Sequence, residues 1–335
     1  MLTALRWLLA VLARAALVVW VTATVVFFAL RAGGGDPVEA ILGGPGSQAG
    51  PEAVAAARAE YGLDQPLFVQ YLNQLWRVLT LDLGTSFSRR VPVRELLGAA
   101  IPPTFILATL SLLLAWLLAL AVALASVRAQ GRIAQAAAQI LRGAEVVATV
   151  TPHFWLGAVL IAVFAAGLGW LPATSSLGSV PGLVLPAVTL AVPLAGFLGQ
   201  LMRDGLEEAE QAPFATTSRA RGSSTTRVFS RHTLRHASLP VIALSGWAFG
   251  SLLSGAVVVE VLFGRPGLGR LLVDATLVRD VPVVIGAVVL VALVYVVITA
   301  ITDLVERVLD PRTADGAVRL APTHPAPAAD QVALP

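Results

Sequence analysis

Six blocks of about 20 consecutive, mostly apolar residues are spaced along this chain, and that spacing restricts it to one broad class of fold. The blocks fall near residues 7–30, 105–127, 145–168, 183–202, 241–263 and 283–304. Each matches the roughly 20 residues an α-helix needs to cross bilayer hydrocarbon. Apolar residues come in solid runs here, not in stripes, and only 13% of the chain is charged, against roughly 25% in a soluble domain. The expected fold is therefore an all-α polytopic membrane protein with six transmembrane helices. Pro186 and Pro193 interrupt the fourth block, Pro152 lies in the third and Pro240 precedes the fifth. Packed neighbours can re-satisfy backbone groups freed by proline inside a bundle, so all six blocks are expected to span.

Arginine placement sets the orientation. The chain has no lysine, so all 23 basic residues are arginine. With the N-terminus inside, Arg6, Arg14, Arg128, Arg132, Arg142, Arg203, Arg219, Arg221, Arg227, Arg231, Arg235, Arg307, Arg312 and Arg319 all face the cytoplasm. Arg14 lies within the first block and is expected to snorkel toward the inner surface. Both termini are predicted inside, and the first block is expected to remain as an anchor in place of being cleaved. The domain reading follows: a first helix at 1–30, an extracytoplasmic region at 31–103, a five-helix core at 104–312 and a disordered cytoplasmic tail at 313–335. The outer region carries helical spacing in PEAVAAARAEYGL and QPLFVQYLNQLWRVL but is short for an independent core.

Absences exclude some chemistry. Without cysteine there is no disulfide, thiolate metal site or cysteine nucleophile. Without lysine the chain cannot carry a P-loop ATP site, so the glycine-rich GRPGLGR at 264–270 reads as turn chemistry at a helix end. No G-x-S-x-G or H-E-x-x-H string points to an intramembrane hydrolase. A secondary transporter would need an internal repeat and midplane charges, and neither is visible.

The segment between the fourth and fifth blocks, FATTSRARGSSTTRVFSRHTLRHASLP, holds five arginines and no acid. It lies within a cytoplasmic stretch taken as residues 205–239. Arg227, Arg231 and Arg235 recur every four residues, on one helical face, with Val228, Leu234 and Leu239 between them. Such a basic helical hairpin reads either as a topology signal or as a docking element for a cytoplasmic partner.

Taken in order, several strings resemble the inner-membrane permease subunit of ABC importers of the dipeptide/oligopeptide/nickel family, over about residues 1–313. They are GDPVEAILGG, YGLDQPLFVQYLNQL, LDLGTSF, RRVPVRELL, TPHFWLGAVLIAVFAAGLGWLPA, SRARGSSTTRVFSRHTLRHASLPV, GAVVVEVLFGRPGLGRLLVDA and LDPR. Three departures stand out: Gly35 replaces a proline, His153 a small hydroxyl residue, and Ala212-Pro213 an acid before the aromatic Phe214. The resemblance implies a type I ABC importer permease fold, N-in and C-in, in the cell membrane. It implies transport of di- or oligopeptides, with nickel chelates, glutathione or oligosaccharides as alternatives. It also implies a second, distinct permease subunit, two cytoplasmic ATPase subunits that bind ATP and Mg, and an extracytoplasmic binding protein. Membrane lipid is a further expected partner, and nucleic acid is not. This chain would bind no cofactor or metal and hydrolyse nothing itself. In the ATPase-coupling loop, the resemblance places Phe214 as an apolar anchor, Gly222 at the turn, and Arg219, Ala220, Arg221, Arg227 and Arg231 on the docking element.

Ionisable residues near the spans are the remaining candidates. Glu145 either reaches the inner interface or lines the pathway. Glu260 either lines an outer gate or caps the GRPGLGR turn. His153 either touches substrate or satisfies backbone freed at Pro152. Asp303 and Arg307 have the order of a helix ion pair. His232 and His236 have metal-ligand spacing, but five arginines and no carboxylate surround them. Trp155, Trp170 and Trp247 are expected at interfaces or in packing.

Overall fold

The computed structural model describes residues 2–32, 38, 41–42 and 49–309. The tail at 313–335, most of the glycine-rich GDPVEAILGG string and the DPR of LDPR lie outside the described residues, as do the side chains of Glu306 and Arg307. The described chain is helical, apart from one isolated bridge between Thr85 and Pro92. In order, the helices are α1 (Leu2–Ala32), α2 (Pro51–Glu60), α3 (Leu67–Leu79), α4 (Val93–Val127), α5 (Arg132–Val150) and α6 (His153–Leu160). They continue as α7 (Pro181–Gln211), α8 (Pro213–Ala220), α9 (Thr225–Val228), α10 (Leu234–Leu262), α11 (Leu268–Leu277) and α12 (Val281–Leu309). A π-helical stretch, Ile161–Gly167, extends α6, and another, Phe229–Thr233, joins α9 to α10.

Among the described residues, five stretches are long and apolar enough to cross a membrane: Leu5–Ala32, Val93–Val127, Pro181–Gln211, Phe229–Leu262 and Val281–Val305. The third block behaves differently. It lies on α5 and α6, which together qualify but bend by 112° between Val150 and His153. The cause is local. Proline lacks an N–H and pushes its predecessor out of the α region, and Thr151 before Pro152 is extended at ψ 122°. The expectation that Pro152 passes within a helix is corrected accordingly, whereas Pro186, Pro193 and Pro240 do lie inside α7 and α10. The second block is also longer than read: α4 begins at Val93, not near residue 105, and carries Pro102 and Pro103 within it.

Helix α7 is the axis of the bundle. In its most apolar stretch 72% of residues are buried, against 6% for α1, which lies on the periphery along α12 and α3. The face of α4 that meets α7 is built from Ala108, Ser111, Ala115, Ala119 and Ala123, all at most 1% exposed. Opposite stand Leu190, Leu194, Leu198 and Met202 of α7. Lipid tails are as apolar as leucine, so helices associate in a membrane through close van der Waals contact, which small residues permit. The same device recurs twice. On α10, Gly246 and Gly250 face Thr302 and Tyr295 of α12, and on α7, Gly196 and Gly199 face Glu145 and Thr149 of α5.

Leu190 is wholly buried, while Leu117 on α4 is 66% exposed on the outer surface of the bundle. Leu190→Ala is expected to cost about 2–5 kcal/mol through the cavity it leaves. Leu117→Ala should change stability by about 0.5 kcal/mol or less. Thermal melts of the purified variants in detergent check both.

Candidate coupling loop and buried polar clusters

The chain leaves the bundle along α7 and turns at Ala212, whose extended ψ of 148° lets Pro213 occupy the first position of α8. Proline is favoured there because its missing N–H would go unpaired in any case. So the Ala212-Pro213 pair starts a helix. That helix stops at Arg221 and Gly222. Gly222 has φ +84°, its N–H bonds to the Arg219 carbonyl at 2.9 Å, and Ser223 N–H bonds to the Ser218 carbonyl at 3.2 Å. A left-handed glycine closing the last turn is a common way to end a helix. The chain then rises through α9 and the π-helical stretch into α10 without a break.

Ala215, Val228, Phe229 and Thr233 form the buried underside of this hairpin. Arg219, Ala220, Arg221, Gly222, Arg227 and Arg231 are all exposed. Phe214 is 38% exposed, and its ring lies 5.6 Å from that of His236 and 6.5 Å from that of His232. The two histidines thus pack on Phe214. Arg219 donates to the Glu210 carbonyl at 2.7 Å, closing the C-terminal end of α7. From the inner end of α4, the Arg128 guanidinium lies 4.0 Å above the Phe229 ring. The structure therefore gathers Phe214, Arg219, Ala220, Arg221, Gly222, Arg227 and Arg231 on one basic helix–turn–helix. The π-helical stretch between Arg227 and Arg235 interrupts the strict four-residue repeat.

At the root of this hairpin Glu145 of α5 meets Arg203 of α7, with side chains 5% and 13% exposed. Glu145 is buried within the protein. Its Oε2 accepts from the Arg203 guanidinium, while Oε1 has no hydrogen-bond partner and lies against Gly199. One turn nearer the hairpin, Arg142 pairs with Glu207 at 2.9 Å, both about half exposed. Asp303 pairs with Arg14 of α1 at 3.8 Å. The side chain of Arg307, the partner expected from the sequence, lies outside the described residues.

At the opposite end, Glu260 is fully buried near the end of α10. Its Oε1 accepts from the Thr104 hydroxyl at 2.5 Å, and Oε2 accepts from the Gly269 N–H at 2.8 Å and the Arg270 N–H at 3.1 Å. The Thr104 oxygen in turn accepts from the Leu268 N–H at 2.8 Å. Glu260 thus caps α11, and the glycines of GRPGLGR have a packing reason. A Cβ on Gly267 would collide with the Glu260 carboxylate, and one on Gly269 with the Val257 backbone. Arg265, 3% exposed, donates to Ser175 at 2.9 Å.

His153 begins α6. Its half-buried ring lies beside Gly255 of α10, and no hydrogen bond joins it to the backbone near Pro152. Trp247 packs on Phe197 at 5.3 Å and Trp170 near Phe164 at 6.0 Å, while Trp155 is 54% exposed.

Sequence reasoning missed Asp280. It is 1% exposed and accepts from Ser86 Oγ at 2.5 Å, Phe87 N–H at 3.1 Å, Ser88 N–H at 3.0 Å and Ser88 Oγ at 2.7 Å. The available signal was an aspartate directly before a helix whose second residue is proline, a helix-start pattern.

Arg203→Met strands a buried carboxylate and is expected to cost about 3–5 kcal/mol. Replacing both partners by methionine should recover most of that loss. Melting temperatures of the two variants in the same detergent decide it.

With this geometry in view, the chain was compared with known proteins. Residues 130–315 match the family model described as "Binding-protein-dependent transport system inner membrane component". A putative peptide transport system permease protein of Brucella melitensis is 34% identical over 319 residues, 93% of this chain and 99% of that one. The glutathione transport system permease protein GsiC of Salmonella choleraesuis is 35% identical over 291 residues, 87% of this chain and 93% of that one. Among solved structures, a chain of the MetNI methionine ABC transporter, in inward-facing conformations, is 18% identical with a TM-score of 0.55. It covers 65% of this chain and 98% of its own length, and at that identity the likeness concerns the fold alone. By its fold, its sequence relatives and the matched region, this chain belongs to the binding-protein-dependent transport system inner membrane components, as a multi-pass ABC-type permease of the cell membrane.

Proposed function

We propose that this chain is one of two permease subunits of an ATP-driven peptide importer, docking a cytoplasmic ATPase through the hairpin around Gly222. The observation that carries the reading is that hairpin. Its arginines Arg219, Arg221, Arg227 and Arg231 are exposed, and its underside is buried on the bundle. A basic surface presented at the membrane suits an acidic groove on a soluble partner. ATP and Mg belong to that partner, since a chain without lysine has no P-loop lysine for the phosphates. A second, distinct permease completes the pathway, and an extracytoplasmic binding protein delivers the substrate. Peptides are favoured by the Brucella relative. Glutathione is the second reading, favoured by the equally similar Salmonella permease. Glu145 and Glu260 act in this scheme as structural ties at the two ends of the bundle, and His153 packs against α10 beside Gly255.

Co-purification from membranes in mild detergent tests the reading. Recovery with a second permease and an ATPase, and nucleotide hydrolysis by the assembly, is the expected result. Recovery of this chain alone, with no response to nucleotide, refutes it and favours a self-sufficient carrier. Gly222→Val tests the docking role. A Cβ at Gly222 meets no atom within 4 Å, so only the left-handed backbone opposes the change, at about 1–2 kcal/mol. The variant should insert normally and lose uptake of labelled peptide. Normal uptake would remove the hairpin from the mechanism.

A further inference from the structure

Two buried carboxylates bracket the ten-residue helix α11, and each ties it to a different part of the molecule. At its start, Glu260 of α10 and Thr104 of α4 together satisfy the N–H groups of Leu268, Gly269 and Arg270. Just past its end, Asp280 collects four donors from Ser86, Phe87 and Ser88 of the outer segment. Between the two anchors, Leu268, Leu271 and Ala275 of α11 pack with Val93, Leu97 and Ala100 of α4 and with Val283, Val284 and Ala287 of α12. Arg89, beside the clamped turn, also reaches Asp274 of α11 at 3.9 Å.

Buried carboxylates with several donors resist separation. Breaking either anchor strands a charge and leaves backbone N–H groups unpaired, which is strongly unfavourable away from water. Bending between α10 and α11, or between α11 and the outer segment, is therefore disfavoured. Movement of the membrane helices must carry α11 and the segment around Ser86–Ser88 with it.

We propose that α11 is a rigid link through which movement of α4 and α10 reaches the outer segment, with Glu260 and Asp280 as its positioning residues. This rests on the ATP-driven permease reading above. Substrate delivered from outside would then meet a surface whose position reports the state of the bundle. Glu260 acts here through geometry. A glutamine at 260 can turn its oxygen to the Gly269 and Arg270 N–H groups and donate its amide to Thr104, whose proton then swings to the Ala100 carbonyl, 3.4 Å away.

The chain has no cysteine, so introduced cysteine pairs are its only labelling sites, and cysteine-free partner subunits keep the background out. Val258 on α10, Leu277 on α11 and Leu79 on α3 are 44%, 73% and 73% exposed. Pulsed electron paramagnetic resonance on the complex with its ATPase in nanodiscs, nucleotide-free and trapped with ATP and vanadate, measures the 258–277 and 277–79 distances. Without substitution at the anchors, both distributions should stay narrow and unshifted between the two states. Glu260→Ala should broaden the 258–277 distribution alone, Asp280→Ala the 277–79 distribution alone, and Glu260→Gln neither. A shift of either distance on trapping overturns the link. So does a narrow 258–277 distribution in Glu260→Ala, broadening of both distances by one substitution, or a Glu260→Gln that behaves like alanine, which would make the charge itself the working element. Failure of any ATPase to co-purify would instead overturn the parent reading, and this one with it.

Discussion

The contact on which the bundle depends is the close approach of α4 to α7. In water, burying leucine drives helices together, but in lipid the tails replace that contact at no loss. What remains is dispersion between surfaces that fit, and it falls away steeply with separation. The alanine and serine face of α4, from Ala108 to Ala123, lets leucines of α7 reach its backbone. Once α7 is fixed at the centre, α5 and α10 find their places on its other faces. The glycine seats at Gly196 and Gly199 serve α5 on α7, and those at Gly246 and Gly250 serve α12 on α10. The peripheral α1 needs no such seat, because most of its surface remains exposed on the outside of the bundle.

Polar groups within this bundle follow a second rule, that each must find a partner inside the protein. Glu145, Glu260 and Asp280 are each at most 5% exposed, and each is supplied with donors by a distant stretch of chain. Their positions are not random. Glu145 and Arg203 sit at the root of the coupling hairpin, while Glu260 and Asp280 bracket α11 at the other end. Each acid joins elements that are far apart in sequence, as Asp280 does with Ser86. Separating such a pairing leaves a buried acid without donors, which is strongly unfavourable.

Much of this was legible in the sequence. Five of the six apolar blocks lie on single long helices, since an uninterrupted run of about 20 apolar residues has few other options. A cap by Glu260 on the GRPGLGR turn was one of two readings the sequence offered, and the hydrogen bonds to Gly269 and Arg270 have that geometry. The break at Pro152 was misread because hydropathy does not report backbone direction. Pro186 and Pro193 continue a helix and Pro152 ends one, although all three lie in apolar surroundings. The packing face of α4 escaped for a related reason. Alanine and leucine score alike as apolar, and the signal lay in side-chain size recurring at helical spacing. Asp280 was invisible as a site because its partners, Ser86 and Ser88, stand 194 and 192 residues away.

The two ends of the molecule differ in how firmly they hold what is attached to them. Besides its buried underside, the inner hairpin is held by a cation–π contact of Arg128 on Phe229, by the edge-on contact of Phe214 with His236, and by one hydrogen bond from Arg219. Contacts of these kinds contribute about 0.5–1.5 kcal/mol each, little more than thermal energy. The outer links are hydrogen bonds to buried carboxylates, worth about 1.5–3 kcal/mol apiece and made several at a time. The anchors of α11 are thus individually stronger than the surface contacts of the hairpin. The buried Glu145–Arg203 pair at the root of the hairpin is their inner counterpart, so each end of the bundle is tied by at least one buried acid.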